Sequence, residues 1–402
     1  EFTNIPVFEK ETRRMPNFTL HELAHAYHNH LLGDQHPVIL KAYHAAKKSG
    51  KFNKLPRRTG ELKNPVVSSR GETYAMTNQM EYFAETTEAY FGENDFTPFD
   101  RASLREWDPQ VIPILENLWG VKKSKHPVLA ADRILFLGDS ITASRDYIID
   151  LQTALHLHGH TPEIIASGLP SEGVTGLTEP KHPFPRPNIH ERLTRALEKA
   201  KPDLVIACYG MNDGIYHPFA LDRFQAYQHG LQQLIDQVNA SGAKLILVTP
   251  PPFDVQAHKS ARPRNAKEFH WGATYQHYDR DVIAPYARWI LAQKDQVARL
   301  IDTHTPITAH YTAMRKKNPS YALSKDGVHI DRAGHRLLAS IIYKSLFNQP
   351  MPELSEDLVQ FYAQRQSLLA PAWLSHIGHQ RPGIKPGLPL DLAQAKAAAI
   401  VR

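Results

Sequence analysis

Four short blocks of this chain hold residue types able to carry out acyl chemistry. Gly138-Asp139-Ser140 closes the apolar run Ile134-Leu135-Phe136-Leu137, and Val174-Thr175-Gly176 follows the strand-like Glu163-Ile164-Ile165-Ala166. Gly210-Met211-Asn212-Asp213 follows Leu204-Val205-Ile206-Ala207-Cys208, and Asp326-Gly327-Val328-His329 precedes a helical pattern from about Arg332 to Phe347. A serine hydroxyl is a poor nucleophile until an adjacent base takes its proton. His329 is the base the chain offers to Ser140. Asp326 lies three residues before it, so one turn can bring the carboxylate to Nδ1, fixing the tautomer and stabilising the imidazolium. Gly176 has no Cβ, so its backbone can approach a substrate closely. Each block also has a plainer reading: Asp139 and Ser140 suit a helix N-cap, and Gly210 with Asn212-Asp213 suits a turn. The ordered set favours catalysis.

The four blocks together resemble the SGNH (GDSL-type) hydrolase family over roughly residues 130 to 348. The resemblance implies a serine ester hydrolase with a three-layer α/β/α sandwich. It also implies an oxyanion hole made by the backbone N–H groups of Ser140 and Gly176 and the side-chain amide of Asn212. Such donors matter because each is worth about two to three orders of magnitude in rate. The implied substrates are small acyl esters, acetyl groups on polysaccharides above all, and this chemistry needs no cofactor.

A second set of reactive residues lies before residue 126. His21-Glu22-Leu23-Ala24-His25 places two histidines four apart on one helix face with a glutamate beside them. Two imidazoles in this arrangement hold zinc, and the glutamate activates a bound water. Glu81 and Glu85, also four apart, supply a third ligand and a carboxylate that orients a histidine from behind. His28 shares the histidine face and is either a further ligand or a surface residue. The HELAH and EYFAE segments resemble the glutamate-zincin metallopeptidases, most closely the anthrax-lethal-factor-type group, over about residues 18 to 92. That resemblance implies bound Zn2+ on His21, His25 and Glu81, with Glu22 as peptidase base and Tyr74 assisting the transition state. Only twenty residues precede His21, less than a zincin sheet needs. The expectation is therefore a truncated zincin-like domain, or one that binds metal without cleaving peptides.

The elements that must position these groups follow from pattern and composition. The chain has 402 residues, 42% hydrophobic and 22% charged, which suits two or three globular domains. Strands are expected at about 133–137, 162–166, 203–208, 244–249 and 298–302. Helices are expected at about 142–157, 188–200, 219–240, 275–295 and 331–348. This alternation predicts a mostly parallel five-stranded sheet covered on both faces. The expected domains are a small, mainly helical zincin-like part at 1–125, a hydrolase at 126–350 and a helical C-terminal arm at 351–402 that packs on it. Thr249-Pro250-Pro251-Pro252 opens a loop to about His270 that, with Pro180 to Pro187, is a candidate specificity element. The net charge is +6, but no nucleic-acid motif accompanies it, so a solvated basic surface is expected. One cysteine allows no internal disulfide, and no apolar run reaches the ~18 residues of a membrane helix. The chain begins without methionine, as a processed or truncated product would, and a secreted or periplasmic, bacterial-type location is expected.

Overall fold

The computed structural model describes residues 4–15, 17–53, 55–59, 66–69, 73–121 and 124–400. They form two compact units, one of residues up to Ser124 together with those from Ala398 onward and one from Lys125 to Ala397.

The first unit is built from helices Ile5–Arg14, Phe18–Tyr27, Pro37–Ser49, Gln79–Phe91, Arg101–Trp107 and Val111–Leu118, with an antiparallel hairpin of β1 (Pro56–Thr59) and β2 (Val66–Ser69). Helix Gln79–Phe91 is central. It is buried without interruption from Tyr82 to Tyr90, so it is enclosed on every side rather than along one stripe. Asn78 starts it by accepting the N–H groups of Met80 and Glu81, each at 2.9 Å.

The second unit holds a five-stranded parallel sheet. Its strands are β3 (Arg133–Gly138), β4 (Glu163–Gly168), β5 (Leu204–Cys208), β6 (Lys244–Val248) and β7 (Arg299–Ile301), in the spatial order β4-β3-β5-β6-β7. Ile134 pairs with both Ile164 and Leu204, and Ile206 pairs with Ile246. Every residue of β3 and β5 is buried. Side chains alternate between the two faces of a strand, so both faces of the sheet are covered. The strand order reverses between β3 and β5, and in such sheets ligands bind beyond the carboxyl ends of the strands at that reversal.

Three elements differ from expectation. The single helix expected over 142–157 is two, Ser140–Ser144 and Asp146–Leu157, because Arg145 takes a left-handed conformation at φ 72° and ends the first. The helix expected over 275–295 spans only Asp279–Leu291. Helix His304–Lys317 was not expected; it buries only His304, Ile307 and Tyr311, too few to mark an amphipathic pattern. After residue 350, helix Glu356–Ile377 belongs to the same core as the sheet, through Leu358, Val359, Tyr362, Trp373 and Ile377. Its buried Gln366 donates Nε2–H to Ile164 O of the edge strand β4 at 3.1 Å, occupying an acceptor that an open edge would expose.

The end of β4 packs tightly on the short helix that begins at Ser140. A methyl group added at Gly168 would lie 2.4 Å from Ala143 N and 2.6 Å from Thr142 C, both backbone atoms. Gly168→Ala should destabilise the fold by about 1–3 kcal/mol, as overpacking does, seen as a lower thermal midpoint by circular dichroism. An unchanged midpoint would mean that this contact is loose.

Candidate active site

Gly138 ends β3, and the chain turns at Asp139 into helix Ser140–Ser144. Asp139 Oδ1 accepts Ile141 N–H at 2.9 Å and caps that helix. Burial pushes the Asp139 carboxyl up to about 7, against the pull of that bond. Ser140 is left at the mouth of the turn. Its Oγ lies 2.9 Å from His329 Nε2, and His329 Nδ1 lies 2.7 Å from Asp326 Oδ2. The other Asp326 oxygen accepts the N–H groups of Val328 at 2.9 Å and His329 at 2.8 Å. With the carboxylate at Nδ1, Nε2 is the nitrogen left to accept the serine proton.

Partial burial works against ionisation of Asp326, but the bonds from His329 and from the two backbone N–H groups outweigh it and hold the carboxyl below the usual range. The hydrogen bond to Asp326 raises the His329 imidazole above its ordinary 6.5, against partial desolvation. His258 steadies the loop: its Nδ1 donates to Asp326 O at 2.9 Å while Nε2 accepts Thr274 N–H at 3.3 Å.

Ser140 opens into a pocket of about 460 Å³ that Ser171 and Asn212 also line. Asn212 Oδ1 accepts two bonds, from Arg186 Nη1 and Tyr216 OH, each at 2.9 Å. Its Nδ2 donates to Glu172 O at 3.0 Å. An amide nitrogen carries two hydrogens, so one remains for a ligand in the pocket. Arg186 is itself fixed by a two-pronged pair with Glu179, both contacts at 2.7 Å.

Gly176, expected among the oxyanion donors, does not line this pocket. Its α-carbon faces the Asn188 side chain, and the neighbouring N–H groups of Val174 and Thr175 are taken by Asp213 Oδ1 at 2.7 and 3.1 Å. The loop after β4 reaches the pocket five residues earlier, at Ser171, which stands in the left-handed region at φ 71°. Glycine usually marks such a position, so a serine there gave the sequence reading nothing to find. Its distance from the end of β4, three residues past Gly168, was the available signal. Beside Ser171, Glu172 forms a buried two-pronged pair with Arg192, a contact between residues twenty positions apart that no local pattern in the sequence marks.

The second group of expected residues comes together in the first unit. His25 Nε2 lies 3.0 Å from His21 Nε2, and Glu81 Oε2 lies 3.1 Å from His21 Nε2 and 3.2 Å from His25 Nε2. Ligands at about 2.0–2.1 Å from a tetrahedral zinc stand roughly 3.3 Å apart, so the three atoms fit one ion. The carboxylate behind His21 is Glu88, with Oε1 2.7 Å from Nδ1; Glu85, expected in that role, is 3.8 Å away and accepts Asn94 Nδ2 instead. Burial raises the Glu85 carboxyl to about 8, with the neighbouring charges of Glu88 and Asp95 adding to it. Tyr74 stacks obliquely near His21, ring centres 6.4 Å apart, and Glu22 is exposed. His28 is fully buried against the Phe83 ring at 5.2 Å and is not one of the converging ligands.

The bond to Asp326 is the largest influence on His329, so removing it should be visible directly. By nuclear magnetic resonance, the imidazole should titrate above 6.5 in the parent and lower in Asp326→Asn. An unchanged midpoint would assign the shift to another group.

Among curated proteins a sequence search finds no match. Solved structures similar to this chain include BT4096, a gut microbial diltiazem-metabolizing enzyme, at 17% identity and TM-score 0.41, over 54% of this chain and 46% of that one. The acetyl xylan esterase AlAXEase is similar at 21% identity and TM-score 0.40, over 53% of this chain and 98% of that one. Axe2, an acetylxylan esterase from Geobacillus stearothermophilus, is similar at 19% identity and TM-score 0.40, over 54% of this chain and 94% of that one. No helix among the described residues is long and apolar enough to cross a membrane. The family model of the GDSL-like lipases and acylhydrolases matches residues 136–337, which is half of the chain and contains Ser140, Asn212, Asp326 and His329; this protein belongs to that family.

Proposed function

We propose that the protein hydrolyses small acyl esters, acetyl esters of polysaccharides first among them, through Ser140, His329 and Asp326. The observation that carries this reading is the unbroken chain of contacts from Ser140 Oγ through His329 to Asp326, at 2.9 and 2.7 Å. Ser140 Oγ attacks the ester carbonyl as its proton passes to His329 Nε2. The oxyanion is held by the backbone N–H groups of Ser140 and Ser171 and by the remaining Asn212 Nδ2 hydrogen. His329 then gives its proton to the departing alcohol oxygen, leaving an acyl-serine. Water, losing a proton to His329, attacks that ester; the acid leaves and Ser140 regains its hydrogen. Asp326 keeps the imidazole oriented and balances its charge in both halves.

The preference for a sugar alcohol is supported by Trp271, a pocket-lining ring left 50% exposed. An exposed aromatic face at the edge of this pocket suits the apolar face of a pyranose ring. A polysaccharide would be met outside the cytoplasm, so a secreted or periplasmic location belongs to the same proposal. Ser140→Ala should lower acetate release by at least about 10³-fold while leaving the thermal midpoint near that of the parent. Full activity in that variant would reject the assignment.

A second reading concerns the first unit alone. We infer that His21, His25 and Glu81 bind Zn2+, on the ground that their three ligand atoms converge within 3.2 Å of one another. Bound zinc would supply Lewis acidity. If this centre cleaves peptides, Glu22 would take a proton and Tyr74 would donate a hydrogen bond. Metal analysis should find about one zinc per chain and none above background in His21→Ala. Chelation should remove the zinc, with any peptide cleavage it supports, and spare acetate release; a chelator-sensitive esterase would overturn the separation of the two chemistries.

A further inference from the structure

The depth of the ester pocket separates two kinds of residue. Its floor is buried, with Asn212, Tyr216 and Arg186 all below a tenth exposed. Its mouth carries Lys259 and Lys325, both exposed, and the partly buried Arg381. Among the described residues lining the pocket the single acidic side chain, Asp326, is engaged by His329. The floor cation, Arg186, is already neutralised by Glu179.

The mouth cations are not neutralised. Neither lysine has an ion-pair partner among the described residues. Arg381 is held by carbonyls alone: Nε donates to Pro170 O at 2.8 Å and Nη1 to Pro382 O at 2.9 Å, with the guanidinium 4.7 Å over the Phe184 ring. A guanidinium packed on an aromatic ring and tied to the residue before Ser171 is fixed in place, yet it faces no carboxylate. Guanidinium forks match carboxylates in shape as well as charge. Cations of one sign around a cleft raise the local concentration of anionic substrate.

We propose that the alcohol side of the substrate carries a carboxylate, so that the preferred ester is an O-acetylated acidic glycan built from uronic acid units. This deepens the ester-hydrolase reading and rests on it. The acetyl group meets the buried floor around Ser140, and the sugar ring lies outward against Trp271. Its carboxylate, or that of the adjoining unit, meets Arg381, Lys259 and Lys325. Nothing at the mouth would reward a neutral sugar in the same way.

The test compares acetate release from acetylated oligogalacturonate with release from the same oligomer after methyl esterification of its carboxylates. The parent should favour the charged oligomer by about tenfold in kcat/KM, within the range that electrostatic steering provides. That ratio should fall towards one in about 1 M salt, where the screening length is about 3 Å. It should also fall in Lys259→Gln/Lys325→Gln and in Arg381→Gln, each judged by its own ratio. A parent ratio of one or less, or release from neither oligomer while a small aryl acetate is still cleaved, would overturn the proposal. Failure of the underlying reading looks different: Ser140→Ala would release as much acetate as the parent.

Discussion

A single buried ion pair holds the reactive end of the sheet together. Glu172 and Arg192 are both 1% exposed and meet through two contacts of 2.7 Å. Tyr209 donates a third hydrogen bond to the same carboxylate, and Arg192 also binds the carbonyl and hydroxyl of Ser167 on β4. The backbone carbonyl of Glu172 accepts the Asn212 amide. One residue therefore ties the end of β4, the loop that carries Ser171, the segment after β5 and the amide facing the pocket. A desolvated pair of this kind is weak evidence for net stability, but removing one member strands a charge at about 3–5 kcal/mol. Its value here is geometric, since the donors of an oxyanion site must be placed before the charge develops.

Arg186 and Glu179 repeat the arrangement one layer closer to the pocket. Their pair orients Asn212 from the oxygen side while Glu172 holds it from the nitrogen side. An amide with both ends engaged cannot flip, so its free hydrogen keeps one direction. The same logic governs Asp326, whose two oxygens are shared between the imidazole and two backbone N–H groups. Rigidity at this site comes from hydrogen bonds that each satisfy a group already committed to the fold.

The parallel sheet was readable because residues 134–137 of β3 and all of β5 are short apolar runs bounded by polar residues, the pattern of strands covered on both faces. Ser140, Asp326 and His329 were readable because hydroxyl, imidazole and carboxylate are needed together and two of them lie three residues apart. The histidines of the first unit were readable from helical spacing. Residues placed by unusual backbone conformation are harder to find. Ser171 reaches the pocket in a left-handed turn, which does not show in its side chain. Gly176 drew attention because glycine suits a close approach, yet its approach is to Asn188. Glu85 stands at i+4 from Glu81, the spacing of the two histidines, while the observed second partner of His21, Glu88, lies a further turn along. Arg381 contacts the loop beside Ser171 across more than two hundred positions of sequence, a separation no local pattern encodes.

That separation bears on how the protein is made. The sheet can pair its strands, and Ser140 can meet His329, before the chain has emerged as far as Gln366 or Arg381. Until then the carbonyl of Ile164 on β4 lacks its amide partner and the edge of the sheet stands open, the kind of surface through which nascent chains associate wrongly. Closure of that edge and completion of the pocket wall wait on segments that follow all five strands in the sequence. Protection against aggregation and arrival of the pocket's guanidinium thus both follow synthesis of the sheet, from neighbouring segments of the chain.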